Sequence, residues 1–177
     1  MKAVLDACVL YPSVLREVLL GAARAGLFTP LWSSRILEEW ARAAARLGPA
    51  QEAIARGEIA LTRADFPRAE VPPDPALEAR LWLPDHNDIH VLAAAIRGGA
   101  DSIITYNASD FPRGILAQEG LSRSDPDAFL LALDRSAVMT VTQAVKARAE
   151  NLSGQDWPLR RLLKKAGLPR LGKALDP

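Results

Sequence analysis

An α/β fold on a short parallel sheet is what the sequence predicts, and three observations predict it. The chain opens on a short apolar run, Lys2 to Leu5, that ends on Asp6. Beyond it, helical patterns alternate with further short apolar runs, the clearest being Ser102 to Thr105. Between these lies a helical stretch, Ile89 to Arg97, that is apolar nearly all round (Ile89, Val91, Leu92, Ala93, Ala94, Ala95, Ile96) and so belongs between other elements. Short apolar strands alternating with helices mark a parallel sheet, because each crossover between parallel strands needs a helix and the helices bury the strands.

The elements follow in order. Tyr11-Pro12 opens a helical pattern that runs to about Ala25, with Val14, Leu15, Val18 and Leu19 inside. Proline near a helix start is tolerated because its missing N–H would have had no partner there. Gly26 stops that helix, and Leu27 to Trp32 reads as a short strand or loop. Ser33 and Ser34 are N-cap candidates for a helix over Arg35 to Leu47, which Gly48-Pro49 ends. A second short helix, about Ala50 to Arg56, and a strand around Ile59, Ala60 and Leu61 are expected next, then a stiff proline-rich connector from Val71 to Pro75. A short helix to Trp82 leads into the turn Leu83–Asp88, which launches the apolar helix that Gly98-Gly99 terminates. From Ser122 the texture changes to a run of helical segments, about Asp127 to Leu133, Ala137 to Glu150 and Pro158 to Ala166. The expected organisation is an α/β body over residues 1–122 and a C-terminal helical extension over 123–177.

Composition narrows the class. At 177 residues and 49% apolar, the chain suits one ordinary globular domain with a small appendage. No apolar stretch reaches the roughly 20 residues of a membrane helix, and the first residues read as a buried strand rather than a signal peptide. A lone Cys8 gives neither a disulfide framework nor a zinc site, so a reducing cytoplasm is the expected setting. Residues 1–120 carry 12 Lys and Arg against 15 Asp and Glu, and residues 121–177 carry 10 against 6. An acidic body with a basic tail fits acids gathered at a metal site and a tail that meets phosphates; ordinary surface charge fits equally.

The acids carry the chemistry. Ligands of open parallel sheets bind outside the carboxyl ends of the strands. Asp6 stands at that end of the first strand, and the loop leaving Ser102–Thr105 carries Thr105, Asn107 and Asp110. Asp88 opens the apolar helix, where its carboxylate can accept backbone N–H bonds and still face the same edge. On the Arg35–Leu47 helix the apolar stripe is Ile36, Trp40, Ala43 and Leu47; Glu38 falls opposite it and Glu39 on its border, so Glu39 is the acid that can reach inward. Converging carboxylates repel unless a cation neutralises them, and oxygen-only donors favour Mg²⁺ or Mn²⁺ over zinc. Such a site can bring about in-line phosphodiester cleavage. Taken singly, Asp88 also reads as a plain N-cap, Glu39 as a solvated acid and Asp110 as a turn residue. Asp6 resists that reading, because an acid ending a buried strand needs a partner or an ion.

Four blocks in order resemble the PIN-domain family, which includes the VapC-type toxins. They are Val4-Leu5-Asp6-Ala7-Cys8-Val9-Leu10, the stretch from Trp32 to Glu38-Glu39, the stretch Leu83-Pro84-Asp85-His86-Asn87-Asp88 running on to Ala95, and Ile103-Ile104-Thr105-Tyr106-Asn107-Ala108-Ser109-Asp110-Phe111-Pro112. The resemblance spans about residues 2–115 and implies a three-layer α/β/α fold around a short central parallel sheet. It also implies a ribonuclease that hydrolyses RNA phosphodiester bonds with Mg²⁺ or Mn²⁺ held by Asp6, Glu39, Asp88 and Asp110. A toxin of a toxin–antitoxin pair, a small antitoxin partner and a homodimer are further implications. Many relatives carry Asp where this chain has Asn107, so the fourth charge comes from Asp110 or is absent. Asp85 stands three residues before Asp88 and shares or takes its role. Arg16 matches a basic residue that touches substrate phosphate or a site carboxylate; its bland reading is an exposed helical arginine. Thr105 is expected to orient a ligand or water.

Other residues point less far. His86 and His90 lack a third strong ligand for zinc, and Trp32, Trp40, Trp82 and Trp157 read first as core. Arg160, Arg161, Lys164 and Lys165 read as a solvated basic face or as RNA phosphate contacts. A catalytically silent RNA-binding module is the rival function, with Asn107 as its motive. A phosphatase of the haloacid dehalogenase type would need a second Asp where Cys8 stands, and no Gly-rich turn follows the first strand to bind a dinucleotide.

Overall fold

The computed structural model describes residues 1–177. The chain divides into two compact units, one of Met1–Tyr11 and Thr29–Ser124, the other of Pro12–Phe28 and Asp125–Pro177.

The first unit holds the sheet. Strand β1 (Lys2–Leu5) is followed by a single helical turn, α1 (Ala7–Leu10); helix α2 (Ser13–Arg24) belongs to the other unit. Then come β2 (Thr29–Ser33), α3 (Ser34–Ala45), α4 (Pro49–Asp65), β3 (Glu70–Val71), α5 (Pro75–Arg80), a 3₁₀ turn (His86–Asp88), α6 (Ile89–Gly98), β4 (Ser102–Ile104), α7 (Arg113–Gln118) and β5 (Ser122–Ser124). The five strands are all parallel, in the order β3-β2-β1-β4-β5. This is the α/β class that the sequence predicts. Ala3, Val4 and Leu5 are wholly buried, as a central parallel strand requires. Strand β2 tolerates Pro30 because the Trp32 N–H points to the carbonyl of Ala69 on the β3 side, and Pro30, two residues earlier, points the same way past the end of β3. Helix α6 lies close on the sheet through Gly98, where a Cβ would come within 2.8 Å of Leu31 and 3.0 Å of Val71. Gly99, with φ 62°, then supplies the left-handed C-cap.

Several expectations are corrected here. The short helix and the strand expected around Ile59–Leu61 are one helix, α4, because Ala55, Ile59 and Thr62 form a buried face at helical spacing while Leu61 is 68% exposed. The proline-rich connector begins with a real strand, β3, and β5 lies at Ser122–Ser124, where only a change of texture was legible. Helix α3 ends at Ala45, so Leu47 leaves the apolar stripe and is 68% exposed. Trp32 and Trp40 are core, as expected, whereas Trp82 is 60% exposed.

The second unit is helical. With α2 it comprises α8 (Pro126–Leu131), α9 (Arg135–Ser153), α10 (Leu159–Lys165) and α11 (Pro169–Leu175). A Cβ on Gly21 of α2 would meet Val141 of α9 at 2.6 Å, so only glycine permits this approach. Phe28 packs edge-on against Phe129, ring centroids 4.9 Å apart. Asp127 is buried and accepts hydrogen bonds from the N–H groups of Arg170 and Leu171 at 2.9 and 2.8 Å, which satisfies the open start of α11. No helix is long and apolar enough to cross a membrane.

Candidate functional site

The strand order places a topological switch beside β1. The chain leaves β1 for β2 on one side and reaches β4 on the other, and such a point opens a crevice at the carboxyl ends of the strands. Asp6 ends β1 and Thr105 follows β4 at this edge. Asp6 is 3% exposed and its carboxylate is held on both oxygens. One accepts the Ala7 N–H at 2.7 Å; the other accepts the Thr105 hydroxyl at 2.6 Å and the Cys8 thiol at 3.2 Å. The Thr105 hydroxyl in turn accepts the Asn107 N–H at 2.9 Å. Thr105 therefore orients a carboxylate through its own hydroxyl.

Cys8 belongs to this network, whereas in the sequence it served only to exclude disulfides, a zinc site and a dehalogenase-type phosphatase. Burial, then the Asp6 charge, pushes its thiol up to about 12, so it stays protonated and serves as a donor rather than a nucleophile. A cysteine two residues after a strand-ending acid was the available signal.

Asp88 reports how close the acids stand. Burial first, then the charges of Asp6, Asp110, Asp85 and Glu39, push its carboxyl up to about 6. The four acids expected to share a site, with Asp85 beside them, therefore occupy one electrostatic neighbourhood. The expectation that Asp88 caps its helix is corrected: it stands at the N-cap of α6, with φ −93° and ψ −4°, and its side chain makes no capping bond. Asp85 does the local capping, accepting the Asn87 N–H at 2.8 Å where the 3₁₀ turn begins. Asp88 is thus left without the hydrogen bonds that would have held it ionised.

Glu39 behaves as the stripe geometry predicts. It is half-buried, with Oε1 2.8 Å from Nε2 of the buried His90 and 3.5 Å from Nε of Arg35. The His90 contact is close, yet neither ring nitrogen makes a well-aligned hydrogen bond, so we read it as proximity that fixes the place of Glu39 rather than as a strong bond. Glu38 points elsewhere, clamped by Arg56 at 3.0 and 3.1 Å. Asp110 is half-buried and accepts the Ser109 hydroxyl at 3.2 Å. Asn107 presents a neutral amide in the same loop. His86 is exposed and His90 buried, so the pair forms no zinc site. Arg16 lies on α2 in the helical unit and is 4% exposed, which corrects its reading as an exposed helical arginine.

The donor set is oxygen-rich and anionic, which suits Mg²⁺ or Mn²⁺ by chemistry. No three of the His, Cys, Asp and Glu side chains are drawn together tightly enough to hold an ion as they stand. Mg²⁺ commonly keeps several of its waters and uses one or two carboxylates.

One family model matches the chain, that of the PIN domain, over residues 2–109. No curated protein and no solved structure matches it significantly. The match contains every acid discussed here except Asp110, one residue past its end. Members of this family are generally nucleases that act on RNA and typically use divalent metals. The chain belongs to the PIN-domain family.

Proposed function

We propose that the protein is a Mg²⁺- or Mn²⁺-dependent endoribonuclease that hydrolyses single-stranded or looped RNA, with Asp6, Glu39, Asp88 and Asp110 as the residues that would hold the metal. One observation carries the reading: Asp88, half-buried and without a capping bond at the start of α6, lies within the fields of four other acids, Asp6, Asp110, Asp85 and Glu39, all of them expected at the site. Acids crowded at such a cost point to a cation. When bound, the ion supplies neutralisation of that charge, an activated water and stabilisation of the departing oxygen. The chain's own residues do the rest. Thr105, Cys8 and the Ala7 N–H fix Asp6 in one orientation. Asp85, committed to the Asn87 N–H, adds negative charge from a fixed place.

Two exposed aromatics support the RNA reading. Tyr106 follows Thr105 and is 43% exposed, and Trp82 precedes the Asp85–Asp88 turn and is 60% exposed. Aromatic rings on loops beside a phosphate-cleaving site suit unstacked bases. We further propose that the protein is the toxin of a toxin–antitoxin pair, working in the cytoplasm as a homodimer and restrained by a small protein antitoxin. Asn107 favours a second reading, a silent RNA-binding module, since it places a neutral amide where many relatives carry Asp.

The test is RNA cleavage by the purified protein in Mn²⁺, Mg²⁺ and EDTA, with Asp6→Asn and Asp88→Asn alongside. Cutting that needs metal and is lost in both folded variants is the expected result. RNA binding without cutting in any metal selects the silent module, and metal-dependent cutting at the normal rate by Asp6→Asn overturns the site.

A further inference from the structure

Glu39 lines more than the acid cluster. With Ser34, Arg35, Glu38, Arg42 and Arg63 it borders an open cleft of about 400 Å³. Arg35, Glu38, Glu39 and Arg42 are spaced three and four apart along one side of α3, and Arg63 comes from α4, which packs beside it. The three guanidiniums are not equally engaged. Arg63 is gripped by both oxygens of Glu70, at 2.7 and 3.3 Å. Arg35 reaches the Asn87 carbonyl at 3.4 Å and Glu39 at 3.5 Å. Arg42 has a single contact, Nε at 3.5 Å from a Glu38 oxygen, and its side chain is 75% exposed. Arg56 holds both oxygens of that same Glu38 at 3.0 and 3.1 Å, which leaves Arg42 the weaker claim on it.

A polyanionic strand meets repulsion at a cluster of acids, so cationic donors beside the cluster are needed to seat it. The cleft supplies planar, multiply donating groups at the wall it shares with the cluster through Glu39, and a guanidinium matches phosphate geometry. We propose that this cleft is a phosphate subsite, with Arg42 as its principal contact, holding a strand phosphate that neighbours the one cut at the acid cluster. The proposal rests on the nuclease reading for its second clause, and its test is independent of cleavage.

The experiment measures fluorescence anisotropy of a labelled 2′-O-methyl RNA octamer in EDTA over a series of KCl concentrations. The proteins are the unmodified chain, Arg42→Ala, Arg42→Lys and Arg46→Ala. Arg46, the C-cap residue of the same helix four positions on, is exposed and does not line the cleft. Arg42→Ala is expected to weaken binding about threefold to tenfold and to flatten the salt slope by about 0.7, the loss of one single-strand phosphate contact. Arg42→Lys should keep the slope, and Arg46→Ala should change neither quantity. Replacing strand phosphates one at a time by neutral methylphosphonate should erase the Arg42→Ala effect at one position only. Equal behaviour of Arg42→Ala and Arg46→Ala, an effect spread evenly over all positions, or no binding by the unmodified chain at low salt overturns the subsite. Cleavage with unchanged Arg42→Ala binding removes the subsite and spares the nuclease; the reverse result spares the subsite and removes the nuclease.

Discussion

At the scale of single residues, Asp88 sets stability against function. An unfolded aspartate titrates near about 3.9, whereas this one holds its proton up to about pH 6. Between those values the folded chain binds more protons than the unfolded one. Stability therefore falls as pH rises through that window and stays lower above it. The carboxyl is only partly buried, so solvent screening keeps the effect small. In EDTA, Asp88→Asn should raise Tm at pH 8 by about 2 °C and leave it unchanged at pH 4, where the native carboxyl is already neutral. A scan at both pH values checks this, and an equal shift at the two would mean that the gain comes from something other than removal of a charge. Thr105 shows the opposite economy. Its hydroxyl donates to Asp6 while accepting from the Asn107 N–H, so one buried oxygen ties the strand-ending acid to the loop that carries Asp110.

At the scale of elements, the loop from Leu81 to Asp85 separates folding from recognition. Leu83 is wholly buried and anchors the loop, while its neighbour Trp82 is 60% exposed. Trp82→Ala should leave Tm within about 1 °C of the unmodified chain, as surface substitutions do, and weaken binding of single-stranded RNA in EDTA about fivefold or more. Binding to an oligomer with an abasic site at the contacted position should be equal for the two proteins. A drop in Tm with unchanged RNA affinity would make Trp82 a structural residue instead. The elements also show what the sequence could say. Lys2–Leu5, the strand read as Ser102–Thr105, and α6 were legible because burial leaves a run of mostly apolar residues, and the cap of α3 was legible as one of Ser33 and Ser34, of which Ser33 makes the bond, because a serine before a helical stripe has a hydrogen-bonding task there. Strands β3 and β5 were not legible. Two or three residues such as Glu70-Val71 or Ser122-Arg123-Ser124 carry no period, and only pairing with β2 and β4 makes them strands. In the site, the positions of Asp6 and Glu39 followed from strand end and stripe border. The division of labour between Asp85 and Asp88 did not, because both fit an N-cap and only backbone angles decide which one caps.

At the scale of the whole molecule, the units do not follow chain order, and this bears on which fragments fold. The sequence suggests a body ending at residue 122 with a helical extension packed on it. The compact helical unit instead draws on Pro12–Phe28 as well as Asp125–Pro177. Helix α2 has its close approach to α9 through Gly21 and Val141, its Glu17 lies 3.5 Å from Arg148, and Phe28 just beyond it packs edge-on against Phe129. A fragment of residues 1–122 would keep α2 and lose all three partners. It would also lose Ser124, whose carbonyl accepts the Thr105 N–H at 3.1 Å and so helps hold the residue that orients Asp6. Uncovering Phe28, 4% exposed in the full chain, by itself costs about 1.5–3 kcal/mol, a substantial part of the 5–15 kcal/mol that keeps a typical domain folded. The 1–122 fragment is therefore expected to aggregate or to lack a cooperative thermal transition, whereas the full chain should unfold cooperatively. Expression of the two side by side, with calorimetry on the soluble fractions, decides it. A soluble 1–122 fragment with a sharp transition would show that α2 finds sufficient cover without the C-terminal helices, and the acid cluster could then be studied in isolation.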